Sequence, residues 1–151
     1  RVLVQGRSVP DWGRIGIPDW FAQAPAPGID LAARLKLESL GCGQRFRYRL
    51  RANPCVTRNG KRLGFLQRED QVKWLGRKGE MHGFAPETAH ISQEKMLSGE
   101  RHNGNSIRVF SILLDGVLAT TEPEKFRQAL ASGIGHAKAM GLGLLSVAPA
   151  T

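Results

Sequence analysis

The sequence is short of acid, of cysteine and of long apolar runs, and each shortage narrows what the chain can be. Thirteen Asp and Glu stand against twenty-two Lys and Arg, which leaves a formal charge of +9. Two cysteines, Cys42 and Cys55, allow one bridge at most, too few for a disulfide-built scaffold. Isolated thiols in a domain with its own core fit a reducing cytoplasm, and a cytoplasmic protein is expected. No stretch approaches the roughly 18 consecutive apolar residues of a membrane span. No basic-then-apolar leader opens the sequence, so nothing marks it for export. HxxxH, CxxC and clustered carboxylates are all missing, so neither a metal nor a small-molecule cofactor is expected.

What is present is enough for a core. The 151 residues are 41% apolar, which suits one ordinary domain or two small subdomains and excludes wholesale disorder. The positive charge is concentrated. Residues 1–42 carry five basic and four acidic groups, residues 122–151 carry three and two, and residues 43–121 carry fourteen and seven. Between Gly43 and Arg62 there are seven basic residues and no acid. A patch of this kind favours a polyanionic partner, because each neutralised phosphate releases condensed counterion.

Val2-Leu3-Val4-Gln5 reads as a short buried strand, and Asp11 to Trp20 as a packed loop or one short helix. Ala22 to Gly28 (AQAPAPG) has the composition of a linker between subdomains. The clearest strand is Arg45 to Arg51. Phe46, Tyr48 and Leu50 alternate with four arginines, and a period of two puts the apolar trio on one face and the guanidiniums on the other. Such a face either simply meets water or binds an anion; four arginines in register with no acid between them favour the anion. Arg68 to Lys78 reads as a helix with Val72 and Leu75 on its buried side. Glu94 to Ser106 is a polar excursion made basic by Lys95, Arg101, His102 and, just beyond, Arg108. It is either a surface loop or a basic hairpin that enters a nucleic-acid groove.

Ile107 to Leu114 reads as a strand, Asp115-Gly116 as a hairpin turn and Val117 to Thr120 as the return. Thr121 and Glu124 form a capping box around Pro123, and Phe126, Ala129, Leu130 and Ile134 give the following helix a buried stripe. A glycine-rich segment, Gly133 to Gly143, and an apolar run, Leu144 to Val147, close the chain. From Gly43 onward this order fits the βαββαβ ferredoxin-like plan, provided one strand lies within 80–97. One sheet face is then free for RNA, as in RRM-type domains, although the usual stacking aromatics are not evident.

Two blocks go beyond a generic pattern. FRYRLRANP (Phe46 to Pro54), followed by Lys61-Arg62 and QVKWLGRK (Gln71 to Lys78), resembles the crRNA-processing endoribonuclease family of type I-E Cascade. GIGHAKAMGLGLLSVAP (Gly133 to Pro149) is similar to that family's glycine-rich loop and terminal strand, and VLVQ and PDW resemble its first subdomain. The resemblance covers nearly the whole chain and is weakest across 80–105.

It implies an α+β protein of tandem ferredoxin-like domains. Residues 1–40 would be the remainder of an incomplete first domain and a linker, and 41–151 the second domain. The family binds the repeat stem-loop of precursor crRNA and cuts at the 3′ base of the stem without a metal. Attack by the 2′-OH leaves a 2′,3′-cyclic phosphate and a 5′-OH. The enzyme then stays bound to its product beside the other Cascade subunits.

The family's catalytic histidine, with a nearby tyrosine, lies on a first helix upstream of the strand that resembles Val2 to Gln5. This chain begins after that point, so no catalytic residue is expected within it. His136, beside Lys138, is the one alternative. The residues expected to meet RNA are Arg47, Arg49, Arg51, Arg58, Lys61 and Arg62, the hairpin residues Lys95, Arg101 and Arg108, and Lys138 with Gly133, Gly135, Gly141 and Gly143. A non-catalytic RNA-holding subunit of the same fold is the alternative function. A basic module for protein or ribosomal RNA with no CRISPR role is the third.

Overall fold

A computed structural model describes residues 3–17, 19, 21, 23, 27–100, 104 and 106–150. They divide into two compact units, Arg1–Glu38 and Ser39–Thr151. No helix among the described residues is long and apolar enough to cross a membrane.

The first unit contains little regular structure. A 3₁₀ turn spans Trp12–Arg14, capped by Asp11, whose carboxylate accepts from the Gly13 N–H at 3.1 Å. The Trp12 ring meets Phe21 edge-on at 5.7 Å. Helix α1 is the single turn Leu31–Arg34, where the Asp30 carboxylate accepts from the N–H groups of Ala32 and Ala33. Of the packed loop or short helix expected over Asp11 to Trp20, the described residues show the one three-residue turn at Trp12–Arg14, while Pro18, Trp20 and most of the linker lie outside them. Of the strand expected at Val2 to Gln5, Val2 lies outside the described residues, while residues 3–5 have no strand pairing and Leu3 and Val4 are exposed. An apolar run alone does not make a strand, because its N–H and C=O groups need a neighbouring strand, and none of the described residues supplies one.

The second unit is an antiparallel sheet with two helices on one face. Its elements in order are β1 (Arg45–Ala52), β2 (Cys55–Arg58), β3 (Lys61–Gly64), α2 (Arg68–His82), β4 (Phe84–Pro86), β5 (His90–Glu100), β6 (Ser106–Thr120), α3 (Pro123–Ser132) and β7 (Leu145–Pro149). The sheet runs β4-β6-β1-β7, with β5 also paired to β6. With β4 and β5 taken as one interrupted strand, this is the ferredoxin-like order, and the strand expected within 80–97 is that pair. β2 and β3 form a separate ribbon joined by Asn59-Gly60, both at positive φ as a tight two-residue hairpin requires.

β1 lies at the centre and keeps the expected alternation. Phe46, Tyr48, Leu50 and Ala52 are buried, whereas Arg45, Arg47 and Arg49 are exposed and Arg51 half-buried. On β6 the paired positions Ile112, Leu114 and Leu118 are likewise fully buried. α3 brings Phe126 onto this face, with ring centroids 5.6 Å from Phe46 and 6.0 Å from Phe84. α2 packs along β4 and α3, burying Gln71, Trp74, Leu75 and Gly79. Val72, expected on that side, is exposed, because the buried stripe runs through 71, 74, 75 and 79 and position 72 falls off it.

Two local expectations are overturned. Asp115-Gly116 is not a turn: β6 runs unbroken from Ser106 to Thr120. The turn signal yields to pairing on both sides, with β1 across Ile112 to Ala119 and with β5 and β4 on the other edge. Gly116 serves close approach instead, since a Cβ there would run into the Thr88 carbonyl and the Tyr48 ring. Nor does Thr121 cap α3. Glu122 occupies the N-cap, the N–H groups of Thr121 and Glu122 both donate to the Gly83 carbonyl, and Glu124 pairs with Arg127 at 2.7 Å.

Phe126 joins three elements of the core, so Phe126→Ala is expected to lower the unfolding free energy by about 3–5 kcal/mol. Urea denaturation of the variant and the parent checks this; a loss below about 1 kcal/mol, the range of surface substitutions, would contradict the packing.

Candidate nucleic-acid interface

Basic side chains gather in two places in the second unit, and a different part of the sequence builds each. The first is the sheet face opposite the helices. Because β1 alternates, Arg45, Arg47, Arg49 and Arg51 all emerge there, across from Ala119, Val117, Asp115 and Leu113 of β6. The β5 register adds Gln93 and Lys95 to the same side, opposite Leu113 and Ser111. β7 contributes Ala148 and Ser146, opposite Arg47 and Arg49. Between β1 and β7 lies a shallow depression lined by Arg47, Arg49, Asp115, Ser146 and Ala148.

This face is not free of acid, as the β1 segment alone suggests. Arg45 makes a bidentate contact to Glu87, with Nε and Nη2 at 2.9 and 2.6 Å from Oε2. Arg49 Nε donates to Asp115 Oδ1 at 2.6 Å, and Ser92 Oγ donates to Oδ2 at 2.9 Å. Arg51 Nη2 donates to the Gln93 amide oxygen at 2.6 Å. Glu87 and Asp115 thus hold their guanidinium partners even more firmly protonated than usual. Partial burial pushes the Asp115 carboxyl up, but the hydrogen bonds from Arg49 and Ser92 and the Arg49 charge outweigh it and hold it below the usual range. Arg47 is the exception in the row. It is exposed and has no ion pair or side-chain hydrogen bond among the described residues.

The second gathering surrounds the glycine-rich segment. α3 ends at Gly133, whose N–H donates to Ala129 O at 2.8 Å, as expected for a helix-capping glycine. The loop that follows is closed at its neck: Ile134 N–H donates to Gly143 O, and Gly143 N–H donates to Arg51 O at the end of β1, both at 2.7 Å. At Gly135, φ is +82° and a Cβ would press on the Trp74 ring of α2, so only glycine lets the loop settle there. This brings His136 and Lys138 near Lys78 and His82 of α2 and Arg62 of β3. Burial holds the His136 imidazole below its usual range, and the positive charges of Arg62, Lys78 and Lys138 lower it further. His82 is lowered in the same way by burial, then by Lys78 and Lys138. Burial raises the Cys55 thiol, opposed by the charges of Arg62 and Lys78.

The residues singled out in the sequence thus separate into groups. Arg47, Arg49, Arg51 and Lys95 share the open sheet face. Lys138 lies in the loop with Gly133, Gly135, Gly141 and Gly143, and Arg62 acts on the same loop through its charge at His136. Arg58 and Lys61 pair at the end of the β2–β3 ribbon, displaced by one position from Arg62 and so on its other side. β5 and β6 do form a long hairpin, but Arg108, opposite Ser98, lies on the other face from Lys95. Arg101 and His102 lie outside the described residues. Lys78 and His82 escaped the sequence reading, although Trp74, Lys78 and His82 recur at spacings of four, the signature of one helix face.

The CRISPR associated protein family model matches residues 1–149. The CRISPR-associated endoribonuclease Cse3 of Thermus thermophilus is 35% identical over 161 residues, covering 98% of this chain and 72% of its own length. The Cascade subunit CasE of Escherichia coli is 33% identical over 116 residues, covering 68% of this chain and 57% of its own. Among solved structures, T. thermophilus Cse3 bound to an RNA representing a pre-cleavage complex superposes with a TM-score of 0.67 at 38% identity, over 74% of this chain and 56% of that one. The chain therefore spans just over half the length of the last two.

The Asp115 pairing gives the sheet face a pH signature. A carboxyl whose folded value lies below its unfolded value of about 3.9 adds stability above that pH and loses it as the pH falls through the folded value. In urea titrations from about pH 6 to pH 2.5, the parent should lose more stability than Asp115→Asn, and the two should converge at the acid end. Parallel curves would contradict the pairing.

Proposed function

The chain belongs to the CRISPR-associated protein family, and from that premise we propose that it is the RNA-holding portion of a precursor-crRNA endoribonuclease. The observation that carries the proposal is the open sheet face, where β1 sets a row of arginines with Arg47 unencumbered, beside a second basic group at the glycine loop. A phosphate backbone is the partner such surfaces suit, and arginines without stacking aromatics suit a stem better than an unpaired strand. Arg47, Arg49, Arg51 and Lys95 bear on phosphates along the sheet. Arg62 and Lys138, with the glycines, hold RNA toward the cleavage end, while Arg58, Lys61, Arg101 and Arg108 flank the stem.

In this reading residues 1–40 are the remainder of a first ferredoxin-like domain, and 41–151 form the second. The protein is cytoplasmic and works beside the other subunits of Cascade. The reaction is in-line attack by a ribose 2′ oxygen on the adjacent phosphorus: the new bond closes a 2′,3′-cyclic phosphate, the bond from phosphorus to the 5′ oxygen breaks, and a 5′-OH leaves. None of the four histidines matches the family's catalytic position, and the basicity of His136 is drawn down by partial burial and then by the charges of Arg62, Lys78 and Lys138. The acid–base work is accordingly assigned to the family's histidine-bearing first helix and not to residues 1–151.

The test is cleavage of a cognate repeat hairpin, with EDTA present, by this chain and by a form carrying that histidine-bearing helix ahead of residue 1. Cutting by the second alone, with a cyclic phosphate product, is expected. Cutting by the 151-residue chain would place the chemistry within it, with His136 the first residue to replace. Binding without cutting by both would favour the non-catalytic holding subunit.

A further inference from the structure

The depression between β1 and β7 carries chemistry that a row of cations alone does not. Two rows of side chains cross the open sheet face there. Asp115, Arg49 and Ser146 stand opposite one another on β6, β1 and β7, and Val117, Arg47 and Ala148 form the next row. Tyr48 and Val147 alternate with these and point to the helix side, so between the rows the floor is their backbone. Arg49 leans toward β6, with Nε 2.6 Å from Asp115 Oδ1, which leaves Ser146 and Ala148 to line the open side. The space is about 370 Å³, at the lower end of the range for small-molecule sites. Among the described residues β7 pairs only with β1, so the depression opens at the sheet edge.

Its polar groups are of both signs. A carboxylate here disfavours a phosphate at the same point, because the two charges repel. Asp115 Oδ1 accepts from Arg49, and Oδ2 accepts from Ser92 at 2.9 Å, which uses two of the carboxylate's roughly four lone-pair sites. One acceptor site therefore remains on each oxygen. Beside them the Arg49 guanidinium keeps donors beyond the N–H given to Asp115. Two acceptors next to a donor are the complement of one nucleobase edge. Guanine presents N1–H and N2–H side by side, next to the O6 acceptor, whereas adenine, cytosine and uracil have no two adjacent donors on that edge.

We propose that this depression binds the Watson–Crick edge of an unpaired guanine, with Asp115 accepting from N1–H and N2–H and Arg49 donating to O6. The proposal rests on the RNA-holding reading and deepens it: Arg49, with Asp115, reads a base, while Arg47, one row along, keeps the phosphate. That edge is occupied in a duplex, so the site takes its base from a loop or a single-stranded end and not from the stem. The bonds from Arg49 and Ser92 also hold the Asp115 carboxyl below the usual range, so at neutral pH it is an acceptor only.

The test uses four pentauridylates, identical except for a central guanosine, inosine, adenosine or uridine. Their charges are equal, so phosphate contacts cancel in the comparison. Each is titrated into the 151-residue chain and followed by NMR at the Ser146 and Ala148 amides. Guanosine should bind at least about fivefold more tightly than adenosine or uridine. Inosine, which lacks only the 2-amino group, should bind about threefold or more weakly than guanosine. Asp115→Asn should abolish the preference, since an amide offers one acceptor oxygen. Arg47→Ala should weaken all four strands alike. The inosine comparison needs no variant, so it decides the matter even if Asp115→Asn fails to fold.

Equal affinity for the four strands, no response at Ser146 and Ala148, or a guanosine preference that survives Asp115→Asn would overturn the site. Binding of the repeat hairpin, measured separately, keeps the two claims apart. A chain that prefers guanosine but binds no hairpin would sink the stem-holding reading alone. A chain that binds the hairpin and is indifferent to the central base would sink the guanine site alone.

Discussion

The burial of Phe46, Tyr48 and Leu50 against the helices is the constraint on which the rest of the molecule depends. These three side chains fix β1 at the centre of the sheet, between β6 and β7. A strand has only two faces, so seating the apolar trio drives Arg45, Arg47, Arg49 and Arg51 out on the other side. A slip of one residue would bury four guanidiniums, a cost no packing could offset. The same residues that close the core therefore aim the charge, and the exposed row of arginines is a consequence of the fold.

Neighbouring strands then modulate what β1 dictates. Glu87 and Asp115 steady Arg45 and Arg49, and Gln93 steadies Arg51. Such contacts on an exposed face contribute little to stability. Their effect is positional, since a guanidinium tied at one edge still presents its remaining N–H groups outward at lower entropic cost. At the other end of β1, Arg51 accepts the Gly143 N–H through its carbonyl, so the strand also anchors the glycine loop. The two basic groups are thus tied to one strand, which suits a partner that must engage both at a fixed spacing.

How much of this the sequence disclosed follows from how local each signal is. The alternation of β1 survives intact because period two and burial agree, and Gly133 ends α3 where its sequence position suggests. The Asp115-Gly116 signal fails because a local turn preference loses to strand pairing on both edges, and Gly116 is there for the approach of Thr88. The capping box fails because Thr121 and Glu122 are tied instead to the Gly83 carbonyl, a contact across 38 residues of sequence that no local pattern contains. The acid-free reading of the arginine face fails for the same reason, since Glu87 and Asp115 arrive from distant segments. Lys78 and His82 were legible as one ridge with Trp74, but nothing local shows that the glycine loop lands beside them.

The central claim is that the sheet face opposite the helices carries the RNA backbone, with Arg47 its freest charge. Its most direct test is the salt dependence of hairpin binding for the parent, Arg47→Ala and Lys125→Ala, the last a control on α3 already paired with Glu122. The account predicts that Arg47→Ala flattens the slope of log affinity against log salt by about one unit and that Lys125→Ala leaves it unchanged. A slope indifferent to Arg47 would contradict it.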